Sequence, residues 1–367
     1  MATNKKDNMF KKFLDSFKIP FIAILLGFLI GAVFIIATGN SPFVAYGALL
    51  NGSLGSLPKI GETLLKSTPL IFTGLAVAFA FKTDMFNIGA EGQYLVGAIT
   101  TVAAAYVFRG LDSYLLIPLT LIAGMLGGAF WASIAGILKA KLGVHEVIVT
   151  IMLNYVGLNL SNYLVRLVLN PAVINGTEAK AHTILIPEAA RLTKLKTIIP
   201  AFDYSSVNTS IIIAIVCAII AYFILYKTTL GYEIRAVGHS PLAAEYGGIS
   251  VSKNMILSMA ISGAFAGLAG YAQVAGLVYK VDQVASSPGY GFTGIAVALV
   301  GKEHPIGVIA SGILFGILAN GERHMQIEGI PKEVVGIIQG VIILFIAGDQ
   351  IVKYLINRKN SKKEEVA

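Results

Sequence analysis

Apolar blocks about as long as a bilayer is thick recur along this chain, and no other feature limits its fold as tightly. A helix needs about 20 mostly apolar residues to cross roughly 30 Å of hydrocarbon. Blocks near that length, or parts of them, fall at 19–38, 64–81, 94–108, 115–138, 147–169, 207–226, 255–279, 292–301, 306–319 and 334–352. Residues 115–138 and 211–226 are apolar all round instead of alternating, so helices follow and a barrel does not. The expected fold is all-α, a polytopic transmembrane bundle of about ten spans. With 56% hydrophobic and 13% charged residues, against about a quarter charged in soluble domains, the chain cannot build an ordinary water-facing surface.

The net charge of +8 would suggest nucleic acid in a soluble protein, but here it gathers at the ends. Lys5, Lys6, Lys11, Lys12 and Lys18 precede the first block, and Lys353, Arg358, Lys359, Lys362 and Lys363 follow the last. By the positive-inside rule both termini are cytoplasmic, and no nucleic-acid partner is expected. Block 19–38 exceeds the roughly 7–15 apolar residues of a signal peptide, so a retained anchor is expected. The expected organisation is a basic cytoplasmic segment 1–18, a membrane domain 19–352 and a cytoplasmic tail 353–367. Within the membrane domain, 170–206 forms an extracellular loop and 227–254 a cytoplasmic one. Glu188, Arg191, Lys194 and Lys196 are expected on a surface helix of the outer loop. The single cysteine, Cys217, and five scattered histidines offer no metal-ligand spacing, so no metal is expected.

Two polar stretches interrupt apolar sequence: 82–93, which holds Asp84, Asn87, Glu91 and Gln93, and 302–305 after the short block 292–301. Nonhelical backbone at membrane depth is tolerated only against protein or a water-filled cavity. Transporters place such breaks in corresponding positions of two inverted halves, and the spacing here fits an inverted repeat. Polar side chains inside spans are costly and therefore informative. Asn87, Glu91, Gln93, Asn154, Asn159 and Gln273 are candidates for a translocation path, with Asn162, Arg166 and Gln339 as further polar groups. Uncharged amides suit a weakly polar solute; they serve equally as interhelical links worth about 1 kcal/mol each. Glu91 either pairs internally or faces water.

In the loop 227–254, Ser240 is placed to cap a helix, Pro241 suits its first turn, and Gly247 and Gly248 suit its exit. Leu242, Ala243, Ala244, Glu245 and Tyr246 form its body, with Leu242 and Tyr246 on one stripe. It reads as either a connector or a docking element.

Three runs carry a family likeness: Phe86-Asn87-Ile88-Gly89-Ala90-Glu91-Gly92-Gln93, the stretch from Arg235 through Ala244, and Phe292-Thr293-Gly294-Ile295-Ala296-Val297-Ala298-Leu299. They resemble the permease subunits of ABC importers serving ribose, branched-chain amino acids and nucleosides, nearest to the nucleoside and simple-sugar members. The likeness extends over about 64–352. It departs at His145-Glu146, where broader relatives often have Asn-Glu. The resemblance implies import of nucleosides, purine nucleosides first, across the plasma membrane, with a ribose-like sugar as the alternative. It makes Ser240 to Gly247 the coupling helix for a separate ATPase. It also implies a second permease chain, forming a heterodimer, and an extracellular lipoprotein-type binding protein. No G-x-x-x-x-G-K-[ST] loop occurs in the chain, so ATP belongs to the partner ATPase, no cofactor is expected on this chain, and it is not expected to be an enzyme. An ion-coupled secondary transporter is the rival, and it would need more buried ionisable relays.

Overall fold

The computed structural model describes residues 3–348; the tail 353–367 and the end of the tenth block lie outside the described residues. Among the described residues the regular secondary structure is helical, apart from two isolated backbone bridges. Its helices are α1 Thr3–Ala37, α2 Pro42–Leu54, α3 Leu57–Phe81, α4 Ala90–Val107, α5 Ser113–Leu142, α6 Glu146–Leu167 and α7 Pro171–Asn175. There follow α8 Ser210–Lys227, α9 Thr229–His239, α10 Pro241–Tyr246, α11 Val251–Gln273, α12 Tyr290–Val300, α13 Pro305–Ile327 and α14 Glu333–Ala347. Among the described residues, seven stretches are long and apolar enough to cross a membrane, with α12 and α14 as shorter apolar helices. The protein is thus an all-α polytopic bundle.

The chain divides into two compact units, Ser53–Asn320 and a second made of Met1–Gly52 with Gly321–Ala367. In the larger unit α11 is central and packs on α3, α4 and α5. Lipid gives helices no hydrophobic reason to associate, so close backbone approach must supply the contact. A side chain on Gly128 would strike the Gly263 carbonyl, and one on Gly267 would strike that of Gly124. The glycine stripes of α5 and α11 are therefore a packing seam. In the smaller unit α1 packs on α14, and the Tyr46 hydroxyl of α2 donates to the Phe28 carbonyl of α1.

Three local features depart from the sequence reading. Helix α1 begins at Thr3 and continues through residue 18 without a break. Residues 42–54, unassigned above, form α2; at 13 residues it spans about 20 Å, too short and too mixed to register as a crossing. The surface helix expected around Glu188 to Lys196 does not form. Instead there are single 3-10 turns at Glu188–Ala190, Leu195–Thr197 and Pro200–Phe202. Pro187 and Pro200 flank the run, and tertiary bonds take its backbone: Ile186 N donates to Tyr279 O, Leu192 N to Ala275 O and Leu195 N to Val207 O. Ile186, Ala190, Leu192 and Leu195 are buried beneath it.

Candidate functional site

Between α3 and α4 the chain leaves helical geometry at Asp84, whose φ is +55°. The buried polar groups nearby satisfy the exposed backbone. Asn87 Nδ2 donates to Gln93 Oε1 at 2.9 Å and to Ser262 Oγ at 2.7 Å; Gln93 Nε2 returns a bond to Asn87 Oδ1 at 3.0 Å. From α6, Asn154 accepts from Gly92 N at 2.8 Å and donates to Ile88 O at 2.9 Å. These three amides are thereby engaged by the protein itself. Asn159 stands apart, exposed and bonded to Tyr155 O one turn back. His145, where the sequence departs from broader relatives, caps α6 by accepting from Val147 N.

A further break, distinct from the 302–305 stretch read from the sequence, follows a π turn at Val274–Val278 and a left-handed Tyr279. Residues 280–289 then lead into α12, whose 11 residues reach only about 16 Å; a tight turn at 301–304 reverses the chain into α13. Glu91, on the first turn of α4, joins the break at 82–89 to the one at 280–289. Its carboxylate is 0% exposed, accepts from Gly289 N at 2.7 Å and also from Gly291 N. A carboxylate at a helix N-terminus receives donors that have no intrahelical partner and sits at the positive end of the helix dipole. Position 291 must be glycine for this approach, because a Cβ there would enter the Ala90–Glu91 backbone.

Above this joint lies a cavity of about 180 Å³ between α4, the end of α11, residues 280–288 and the start of α12. Tyr94 and Tyr290 form its aromatic side, with ring centres 5.3 Å apart and planes inclined by 49°. Gln273 lines it, as do Lys280 and Asp282, which pair at 3.0 Å. Of the path candidates, Gln273 alone lines this cavity; Asn87, Glu91, Gln93 and Asn154 build the scaffold beside it. The tyrosines were not singled out in the sequence, since nothing local distinguishes them from the chain's other 13 of 15 tyrosines.

At the other end of α11, 22 residues and about 33 Å away, α9 and α10 meet at Ser240. Thr228 caps α9 through Gly231 N at 3.1 Å, and Ser240 caps α10 through Ala243 N at 3.3 Å. Pro241 opens α10 and Gly247 closes it; Ala244 is buried, while Leu242 and Tyr246 are 73% and 96% exposed. Ala243 and Ala244 line a groove of about 450 Å³ between α9 and α10, with Glu245 on the outer side. Arg235 of α9 lies over the Tyr226 ring at 5.1 Å, and Tyr226 stacks on His304 at 5.4 Å. Lys82 bonds Glu303 at 3.1 Å. Burial, and secondarily the Lys82 ammonium, hold the His304 imidazole below its ordinary pKa. Two consecutive residues of this turn, Lys302 and Glu303, have φ of +53°, a strained geometry for side chains other than glycine.

The family model described as "Branched-chain amino acid transport system / permease component" matches residues 59–347. The chain belongs to that family. This permease is 43% identical over 352 residues to the guanosine ABC transporter permease protein NupP of Bacillus subtilis, covering 96% of this chain and 99% of the relative. It is 40% identical to the nucleoside ABC transporter permease protein NupB of Lactococcus lactis, over 95% of each chain. The glucose ABC transporter permease protein TsgB13 of Haloferax volcanii is 33% identical, over 91% of this permease and 88% of the relative. No solved structure matches the chain.

Proposed function

We propose that this permease carries purine nucleosides into the cell as the membrane subunit of an ATP-driven importer. The observation that carries the reading is the near full-length identity to permeases named for guanosine and for nucleosides. The glucose permease, similar over nearly the same length, supports a sugar as the second reading. ATP hydrolysis falls to a separate ATPase docking on α10, whose Leu242 and Tyr246 offer apolar surface to a partner. A second permease chain and an extracellular lipoprotein-type binding protein complete the assembly. The protein lies in the plasma membrane with both termini and α9–α10 in the cytoplasm and 170–206 outside.

Cells lacking this chain and cells complemented with it should differ in accumulation of radiolabelled purine nucleoside; equal uptake removes the proposal. In the complemented cells, Leu242→Asp and Tyr246→Asp place a carboxylate in the docked interface, where an unpaired charge costs several kcal/mol. Both variants should reach the membrane, lose the ATPase on purification and abolish uptake. Copurification with the ATPase at native transport rates would reduce α10 to a connector.

A further inference from the structure

The cavity beside Tyr94 and Tyr290 has an electrostatic property that its residue types alone do not convey. Two basic or acidic side chains line it, Lys280 and Asp282, and they neutralise each other at 3.0 Å. A third charge, Glu91, lies beneath: it sits one helical turn before Tyr94, and its oxygens hold the N–H groups of Gly289 and Gly291, on either side of Tyr290. A half-helix N-terminus pointing at a cavity would otherwise be a ready site for an anionic group, as discontinuous helices are in other transporters. Here the protein's own carboxylate already holds two of those donors, Gly289 N and Gly291 N. An incoming phosphate would find two of those backbone donors already taken, a buried carboxylate holding them, and a lysine already paired.

What remains for a ligand is neutral. Tyr94 and Tyr290 supply aromatic surface, Leu95, Val274 and Val278 supply apolar walls, and Gln273 supplies one amide. No hydrogen bond within the described residues engages that amide. An aromatic face and a free amide fit a planar, uncharged ring with hydrogen-bonding edges, since stacking tolerates any such ring and the amide both donates and accepts. At about 180 Å³ the cavity is smaller than the about 300–1,000 Å³ of sites that enclose a whole ligand, so it receives one ring and leaves the attached sugar at the mouth.

We propose that this cavity is a station on the translocation path that holds the base of a nucleoside, and that Glu91, by occupying the start of α12, excludes phosphorylated forms. The proposal rests on the nucleoside reading above and adds the site and its charge selectivity. The test uses the full-length chain in lipid nanodiscs with a photoreactive 2-azidopurine nucleoside, followed by peptide mapping. Labelling should fall on the segments holding Tyr94 and Tyr290. An excess of unlabelled purine nucleoside should suppress it at least about tenfold more effectively than the 5′-monophosphate or glucose. In cells with the whole importer, Tyr290→Leu should reduce nucleoside uptake about tenfold, and Tyr290→Phe, which keeps the ring, should restore it. Label elsewhere, equal competition by the monophosphate, or native uptake by Tyr290→Leu overturns the station while uptake by the unaltered importer keeps the broader reading. Absence of nucleoside uptake by the unaltered importer overturns both.

Discussion

Glu91 is the residue on which the two breaks in the membrane domain depend. Its carboxylate is fully buried and acts as acceptor for two backbone donors that belong to no helix ladder. Leaving a buried N–H unsatisfied costs about 1–3 kcal/mol, so Glu91→Ala should destabilise the fold by about 2–6 kcal/mol from the two orphaned donors. Glu91→Gln presents an NH₂ to one of two N–H groups and should recover only part of that loss. Thermal unfolding of the full-length protein in detergent checks the order: native highest, Gln between, Ala lowest. Native stability in both variants would mean that the bonds contribute nothing. The sequence alone left two readings of Glu91 open, internal pairing or water. Its partners are backbone groups 198 and 200 residues away, and backbone donors have no side-chain signature to read. The same limit applies to Asn87, Gln93 and Asn154. Their polarity in apolar surroundings marked them, yet only the fold shows that Asn87 and Gln93 bond to one another and that Asn154 bonds to the backbone of the interruption.

Elements were legible where their lengths exceeded local ambiguity. Blocks such as 115–138 and 207–226 correspond to α5 and α8 because a long apolar run has only one way to satisfy its backbone in lipid. The turn joining α12 to α13 was visible as Lys302-Glu303-His304-Pro305, but its attachments were not, since they come from Lys82 at the end of α3 and from Tyr222 and Tyr226 of α8. One consequence can be measured. The packed His304 has a depressed pKa from burial and, less, from Lys82, whereas an opened turn would return it to about 6.5. Below that value the opened form binds a proton that the packed form does not, so opening becomes favourable as pH falls. The packing contribution is full above about pH 6.5 and declines as pH drops through the depressed value. Hydrogen exchange of the 301–304 amides should accelerate, beyond the intrinsic pH dependence, between pH 7 and 5 in the native protein. His304→Gln should flatten that excess. An identical excess in both proteins would assign the opening to another group.

At the scale of the whole molecule the open question is which face of the bundle is which, and one helix suffices to decide it. Tyr204 and Leu242 are 89% and 73% exposed, and between them α8 is the single apolar helix long enough to cross. Its 18 residues rise about 27 Å, close to the hydrocarbon thickness, so the two positions lie on opposite faces. The lysine-rich flanks of the first and last blocks favour cytoplasmic ends. From a cytoplasmic N-terminus, the five apolar blocks 19–38, 64–81, 94–108, 115–138 and 147–169 precede Tyr204, so the expectation is that Tyr204 lies outside and Leu242 inside. Thr183, also in the outer segment, would be a poor reporter despite its loop position. It is 0% exposed and bonded in both directions to Val281, through its backbone N–H and its hydroxyl. With Cys217 replaced by serine to remove the native thiol, Tyr204→Cys should react with an impermeant maleimide in intact cells. Leu242→Cys should react only after the membrane is permeabilised. The reverse pattern would invert the whole chain and move α10 to the outer face, where no ATPase could reach it.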